Sequence, residues 1–304
     1  MTNHEEHWTK RLNDILTHID REDIDVFDEL NRMYQKASKE LQDEIFEFYG
    51  KYATDNNISK SEAKKRLRGT DLSDYQENAR KYREEAKDNP ELLERLNEQY
   101  VSSKATRLEA LYLEVVYVTG VLNGEIQLLF SDYLKRVAQH SYSKVMGGLS
   151  DSTLSPHVLE QIISQPWDGY DYSEALWGNT DHLAQNLKDT LLNGFIKGHH
   201  PRQMAQGIRK EYGVARSRAE TLVRTDGTHV VNNATVRRYQ DAGLKKYKIH
   251  VHLDNRTTQI CKNIAKADEE YLISEAKPGI NLPPLHYNCR STIVPLEEEI
   301  NVDL

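Results

Sequence analysis

Cysteine is nearly absent from the chain: Cys261 and Cys289 are the two in 304 residues. Two thiols cannot build a disulfide framework, so in a reducing compartment they read as free thiols or metal ligands. Long apolar runs are scarce as well. The best stretch, VVYVTGVLNG between Glu114 and Glu125, falls short of the roughly 18 residues that a membrane crossing needs, so no membrane partner is expected. The opening MTNHEEHW is acidic and lacks the apolar core of a secretory signal, which predicts a soluble protein made in the cytoplasm. Common catalytic signatures are missing too. There is no G-x-x-x-x-G-K-[ST] loop and no G-x-S-x-G elbow, and HEEH at residues 4 to 7 has the wrong spacing for a zinc protease. The usual NTPase and hydrolase readings therefore lose support.

What is present is charge, at 29% of residues, with a mean hydropathy of -0.74. Such a composition suits long, charge-laced helices better than a thick sheet sandwich. The charge is uneven: residues 1 to 50 hold 13 Asp and Glu against 6 Lys and Arg, which is -7 of the chain's -8. An acidic arm of this kind repels bare phosphate and suits a basic protein surface. A solvated helix face explains the same pattern.

Apolar residues at Val26, Leu30, Met33, Ala37, Leu41, Ile45, Phe48 and Tyr52 follow the three-or-four spacing of one helix face. Ser59 and Glu62 have the spacing of a capping box opening a second helix, which Gly69 can close. A third and stronger periodicity runs from Leu108 through Val115, Leu122, Ile126 and Tyr133 to Val137, with Gly120 and Gly124 inside it. Residues 147 to 181 concentrate Gly, Pro, Ser and Trp and read as a linker or a change of layer. Helices resume at Leu183 and again after Pro201. Gly213 is expected to end a short helix, and another is expected from Ala215 to Asp241, stopped by Gly243. In KKYKIHVHLD the period changes to two, with Tyr247, Ile249, Val251 and Leu253 apolar, which predicts a half-buried strand. The fold class is α+β: a long, mainly helical N-terminal region followed by a small C-terminal α+β domain. The segments are 1–150, an extended helical region; 151–214, a helical connector; and 215–304, the α+β domain.

Two constellations could carry chemistry. The first, PRQMAQGIRKEYGVARSRAETLVR, has a local balance of +4. Split at Gly213, it has the outline of a helix-turn-helix, with Arg209, Lys210, Arg216, Arg218 and Arg224 as nucleic-acid contacts; a solvated basic face accounts for it equally. The second gathers Asp254, Arg256, Thr257 and Cys261 with His286, Cys289 and Arg290. His286-x-x-Cys289 has the spacing of a zinc knuckle, Cys261 could supply a third ligand and His252, His250 or Asp254 a fourth. The plainer reading leaves no cofactor: the thiols are small buried core groups and an arginine pairs with Asp254. Catalysis by a Cys/His pair would need a thiolate beside a base in an open cleft, and no cleft is legible in a sequence. A metal-dependent hydrolase or transferase is the enzyme alternative. In NLPPLHYNCRS, residues 281 to 291, two prolines stiffen the backbone ahead of His286. The expectation is a rigid clasp that returns beside the strand, brings His286 and Cys289 to Cys261, and bonds Arg290 or Arg256 to Asp254.

Taken in order, LVRTDGTHVVNNATVRRYQDAG, then LDNRTTQIC, then PPLHYNCRSTIVP resemble the C-terminal domain of the Mu F-like phage head morphogenesis proteins, the minor head proteins of tailed bacteriophages. The earlier SKATRLEALYLEV and YSEALWGN are similar to what precedes that domain in the Gram-positive phage branch. The chain departs from many relatives in having Asp226 after its Arg-Thr pair, Tyr287 where a proline is common, and Lys262 to Ile264 where some have a second cysteine. The resemblance implies a structural virion component rather than an enzyme, recruited to the portal vertex during procapsid assembly. Its partners would be the portal protein, scaffolding or major capsid protein, and phage DNA during packaging or ejection. It would sit in the host cytoplasm during assembly and then inside the virion head.

Overall fold

The computed structural model describes residues 3–54, 73–99, 107–146, 152–197, 199–254 and 257–296. The expected capping box at Ser59 and Glu62, with Gly69, lies outside them, as does Arg256. Among the described residues there are eight α-helices: α1 (Asn3–Thr54), α2 (Ser73–Glu85), α3 (Pro90–Gln99), α4 (Arg107–Lys144), α5 (Pro156–Ile163), α6 (Tyr172–Lys197), α7 (Pro201–Asp241) and α8 (Gln259–Ala267). Three short strands, β1 (Lys246–His250), β2 (Glu270–Leu272) and β3 (Thr292–Pro295), complete the α+β architecture.

Three elements differ from the sequence expectation. Helix α1 begins at Asn3 instead of near Val26, because Trp8, Leu12, Ile15 and Ile19 are buried and extend the same apolar stripe toward the N-terminus. Helix α7 passes straight through Gly213, so the helix-turn-helix is absent. Met204, Ile208, Tyr212, Ala215, Ala219 and Val223 are buried at uninterrupted helical spacing. Burying such side chains outweighs the roughly 1 kcal/mol that a helical glycine costs. Strand β1 ends at His250 instead of Leu253, at the residue paired with Thr292, where β3 begins. Gly243 does terminate α7. It has φ +78°, and the amides of Gly243 and Leu244 return to the carbonyls of Gln240 and Tyr239, a Schellman closure. The punctuated stretch before α6 contains α5, capped by Ser155 with Pro156 in its first turn. Asp171 and Glu174 then form a reciprocal capping box that opens α6.

Helix α4 is long and apolar enough to cross a membrane by length and composition, and 61% of its most apolar window is buried inside the protein, as befits a core helix. The chain divides into two compact units. One comprises Leu30–Gln127 and Leu176–Arg218. Its core includes Tyr82, Leu92, Leu96, Leu113, Val116 and Trp177. Within it Arg95 makes a two-pronged bond to Asp181, both contacts at 2.8 Å, while its guanidinium lies 4.0 Å from the Trp177 ring centre.

The other unit comprises Met1–Glu29, Leu128–Ala175 and Ala219–Leu304, and it holds the sheet. Its strand order is β2-β1-β3, antiparallel throughout, with Tyr247 opposite Tyr271 and Ile249 opposite Ile293. Tyr133 of α4, Tyr239 of α7 and Tyr247 of β1 are fully buried in it. Tyr133 donates to Asp23 at 2.5 Å, and burial lifts the Asp23 carboxyl to about 6. The same tyrosine leaves no room at Gly227, where a methyl group would sit 2.3 Å from the phenolic oxygen.

Gly227→Ala should therefore lower stability by about 1 to 3 kcal/mol despite alanine's better helix propensity. Chemical denaturation of the full chain, read by tyrosine and tryptophan fluorescence, checks this.

Candidate functional site

The site is built on one side of α7. Thr225, Thr228, Asn232 and Tyr239 follow one another at three, four and seven residues, which sets them along a single helix face. Each meets the backbone of the returning C-terminal segment. The Asn288 amide donates to Thr225 Oγ1 at 3.0 Å, and Thr228 donates to the Cys289 carbonyl at 2.7 Å. Asn232 Nδ2 reaches the Ser291 carbonyl at 3.1 Å, and the Tyr239 hydroxyl reaches the Ile293 carbonyl at 3.2 Å. The Asn232 and Tyr239 bonds are fully buried, so they form away from competing water. From Thr292 onward the segment becomes β3 and turns to β1 for its partners.

The bend that delivers this segment starts with buried Pro283 and Pro284, joined by a cis peptide bond. A tight turn follows, in which the Cys289 amide donates to the His286 carbonyl at 3.1 Å and Asn288 adopts φ 59°. On the opposite side, Thr258 caps α8 and accepts from the Cys261 amide at 3.4 Å, placing Cys261 in the first turn of that helix.

These two turns bring three soft donors together. The ligand atoms of Cys261, His286 and Cys289 all lie within 4.8 Å of one another, with Cys261 Sγ 3.1 Å from His286 Nε2. His286 Nδ1 is 2.8 Å from the Tyr287 carbonyl, which can only accept. Nδ1 therefore carries the proton, and Nε2 presents its lone pair toward Cys261 and the Thr258 hydroxyl, 2.9 Å away. Both sulfurs are buried. The Cys289 thiol is pushed below its usual range, first by the hydrogen bond from Cys261, then by the amides of Leu285 and Ser291; that bond and burial push Cys261 the opposite way.

Of the other residues singled out from the sequence, Arg290 bonds Asp254 at 2.8 Å and reaches Asp20 at 3.4 Å. Thr257 accepts from the Asp254 amide at 2.7 Å and donates to the His252 carbonyl at 3.1 Å. His252 stands outside the three-donor group. The basic residues of α7 do not converge on a groove-reading helix. Arg224 lies over Phe27, 4.5 Å from the ring centre, and Arg216 bonds Asn31. Arg209, Lys210 and Arg218 are exposed. A cleft that the sequence did not reveal, of about 550 Å³, is lined by Asp23, Arg224, Asp254, Cys261, His286 and Arg290 among others.

Sequence reasoning gave no role to the α7 stripe, or to its neighbours Asp226 and His229. Asp226 is buried, and desolvation lifts its carboxyl to about 7 even though the Trp167 side chain bonds it. One of its oxygens has no hydrogen-bond partner. Burial lowers His229 to about 4, and its ring meets the Gln165 carbonyl at 2.8 Å. The available signal was a run of polar residues at helical spacing inside an otherwise apolar stretch.

Residues 185–294 match the family model described as Phage Mu protein F like protein. That span contains the α7 stripe, α8, the three donors and most of β3, so this part of the chain is similar to that family. Neither the curated proteins nor the solved structures contain a match to the chain.

Asn232→Ala removes the donor to the Ser291 carbonyl and should cost about 1 to 3 kcal/mol in denaturant unfolding, more than an alanine at exposed Gln240. The Asp226 carboxyl binds its proton more tightly in the folded state than in the unfolded one. Its contribution to stability thus falls as pH rises from its ordinary value near 3.8 to about 7, then levels off. Asp226→Asn should flatten that part of the profile, so variant minus wild-type melting temperature grows across the window. Thermal unfolding at a series of pH values measures it.

Proposed function

We propose that this chain is a minor head protein of a tailed bacteriophage that acts in procapsid assembly at the portal vertex. The family match over residues 185–294 carries the proposal. In this reading the protein has a structural role rather than a catalytic one. It joins the assembling head in the host cytoplasm and stays in the mature virion, with scaffolding or major capsid protein as further neighbours and phage DNA as a partner in packaging or ejection.

Two features support a docking role. Helix α1 exposes Asp14, Asp25 and Asp28 along 15 residues of a segment that carries nearly all of the chain's net charge. Charge of one sign on a helix steers association with a surface of the opposite sign, and the portal collar is the surface that the proposal assigns to it. The C-terminal segment is tied down by buried hydrogen bonds and by the Arg290 to Asp254 pair, which suits a part that must hold its shape inside an assembly.

Co-expression of the full-length chain with its cognate portal protein, followed by size-exclusion chromatography, tests this. The expected result is co-elution with the portal oligomer, weakened by salt and weakened further in an Asp14→Lys, Asp25→Lys, Asp28→Lys triple variant. Separate elution at every salt concentration would overturn the portal assignment.

A further inference from the structure

The head-protein reading leaves the three soft donors without a purpose. We propose that Cys261 Sγ, Cys289 Sγ and His286 Nε2 bind a zinc ion, with a water or a neighbouring hydroxyl in the fourth position. Zinc takes sulfur at about 2.3 Å and nitrogen at about 2.0 to 2.1 Å in a tetrahedral arrangement, which sets its donors roughly 3.5 to 4 Å apart. Here the three donor atoms already lie within 4.8 Å of one another, with one pair at 3.1 Å.

Three further observations point to a metal rather than to a packed thiol cluster. First, the imidazole is in the tautomer that a metal requires, with Nδ1–H held by the Tyr287 carbonyl and Nε2 left with its lone pair facing the sulfurs. This outer hydrogen bond is the kind that orients a ligating histidine. Second, the His286-x-x-Cys289 turn, closed by the Cys289 amide on the His286 carbonyl, brings the imidazole and the second sulfur to the same three-donor group. Third, Cys261 lies in the first turn of α8, where the Thr258 cap holds it with its sulfur beside His286 Nε2. Two thiolates and a neutral imidazole select zinc over magnesium or calcium.

The hydroxyls of Ser291, 3.5 Å from Cys261 Sγ, and Thr258, 2.9 Å from His286 Nε2, are the nearest protein groups to a fourth position. Asp254 is held by Arg290. The ion would cross-link the first turn of α8 to the segment fixed on α7, completing the closure that the hydrogen bonds begin.

The full-length protein, purified under reducing conditions without chelator, is assayed for zinc by elemental mass spectrometry. The expected result is about one zinc per chain, kept in His252→Ala and lost in Cys261→Ser and Cys289→Ser. Because the serine variants could lose structure, wild-type protein is also stripped and titrated with cobalt(II). A thiolate-to-cobalt charge-transfer band that saturates at one equivalent supports the site. Three outcomes would overturn it: wild-type protein that holds no zinc and gives no such band, zinc retained in the double serine variant, or zinc lost in His252→Ala with its fold intact. Each result is independent of whether the protein co-elutes with portal.

Discussion

A returning strand whose backbone is satisfied by the side chains of a helix is the constraint on which the C-terminal architecture rests. Cys289 and Ser291 are buried before β3 begins, where no neighbouring strand takes the amides and carbonyls of residues 288 to 291. An unpaired buried backbone group costs about as much as a lost hydrogen bond. Thr225, Thr228 and Asn232 remove that cost one group at a time, and Tyr239 does the same for Ile293 inside the strand. Because the four sit at helical spacing, the register of the segment on α7 is set by the helix. A slip of one residue would leave the partners misaligned.

Everything around the three donors follows from that register. With Cys289 fixed through its own carbonyl, the His286-x-x-Cys289 turn points toward the N-terminus of α8. The Thr258 cap sets Cys261 across from it. The acidic and basic groups of the adjoining cleft are largely committed to each other, as Arg290 is to Asp254 and Asp20. Asp226, which does not line that cleft, is a buried carboxyl with one oxygen unsatisfied beside Trp167. It raises the energy of the folded state at neutral pH, which is tolerated because the surrounding packing over-determines its position.

Some of this is legible in the residues themselves. The helical periodicities of α1 and α4, the closure of α7 at Gly243 and the alternation of β1 all rest on local rules, in which side chains three, four or two apart share a face. Trp8, Leu12, Ile15 and Ile19 carried the same signal for the start of α1, diluted by the charged residues between them. Gly213 misled because a local breaker was weighed without the apolar stripe on both sides of it. The chemistry of the candidate site was readable as residue types, a His-x-x-Cys pair and one distant cysteine. Its distances were not, because Cys261 and His286 are 25 residues apart and meet only when the chain folds back on itself.

The sequence by itself determined which segments are helical, where the period changes to that of a strand, and which side chains could ligate or pair, since these depend on neighbours a few positions away. Tertiary structure alone decided that polar residues inside α7 serve the backbone of a segment some 60 positions later. It also decided that two cysteines and a histidine share one small volume. Both outcomes come from long-range burial, which acts between groups that the order of the chain does not place side by side.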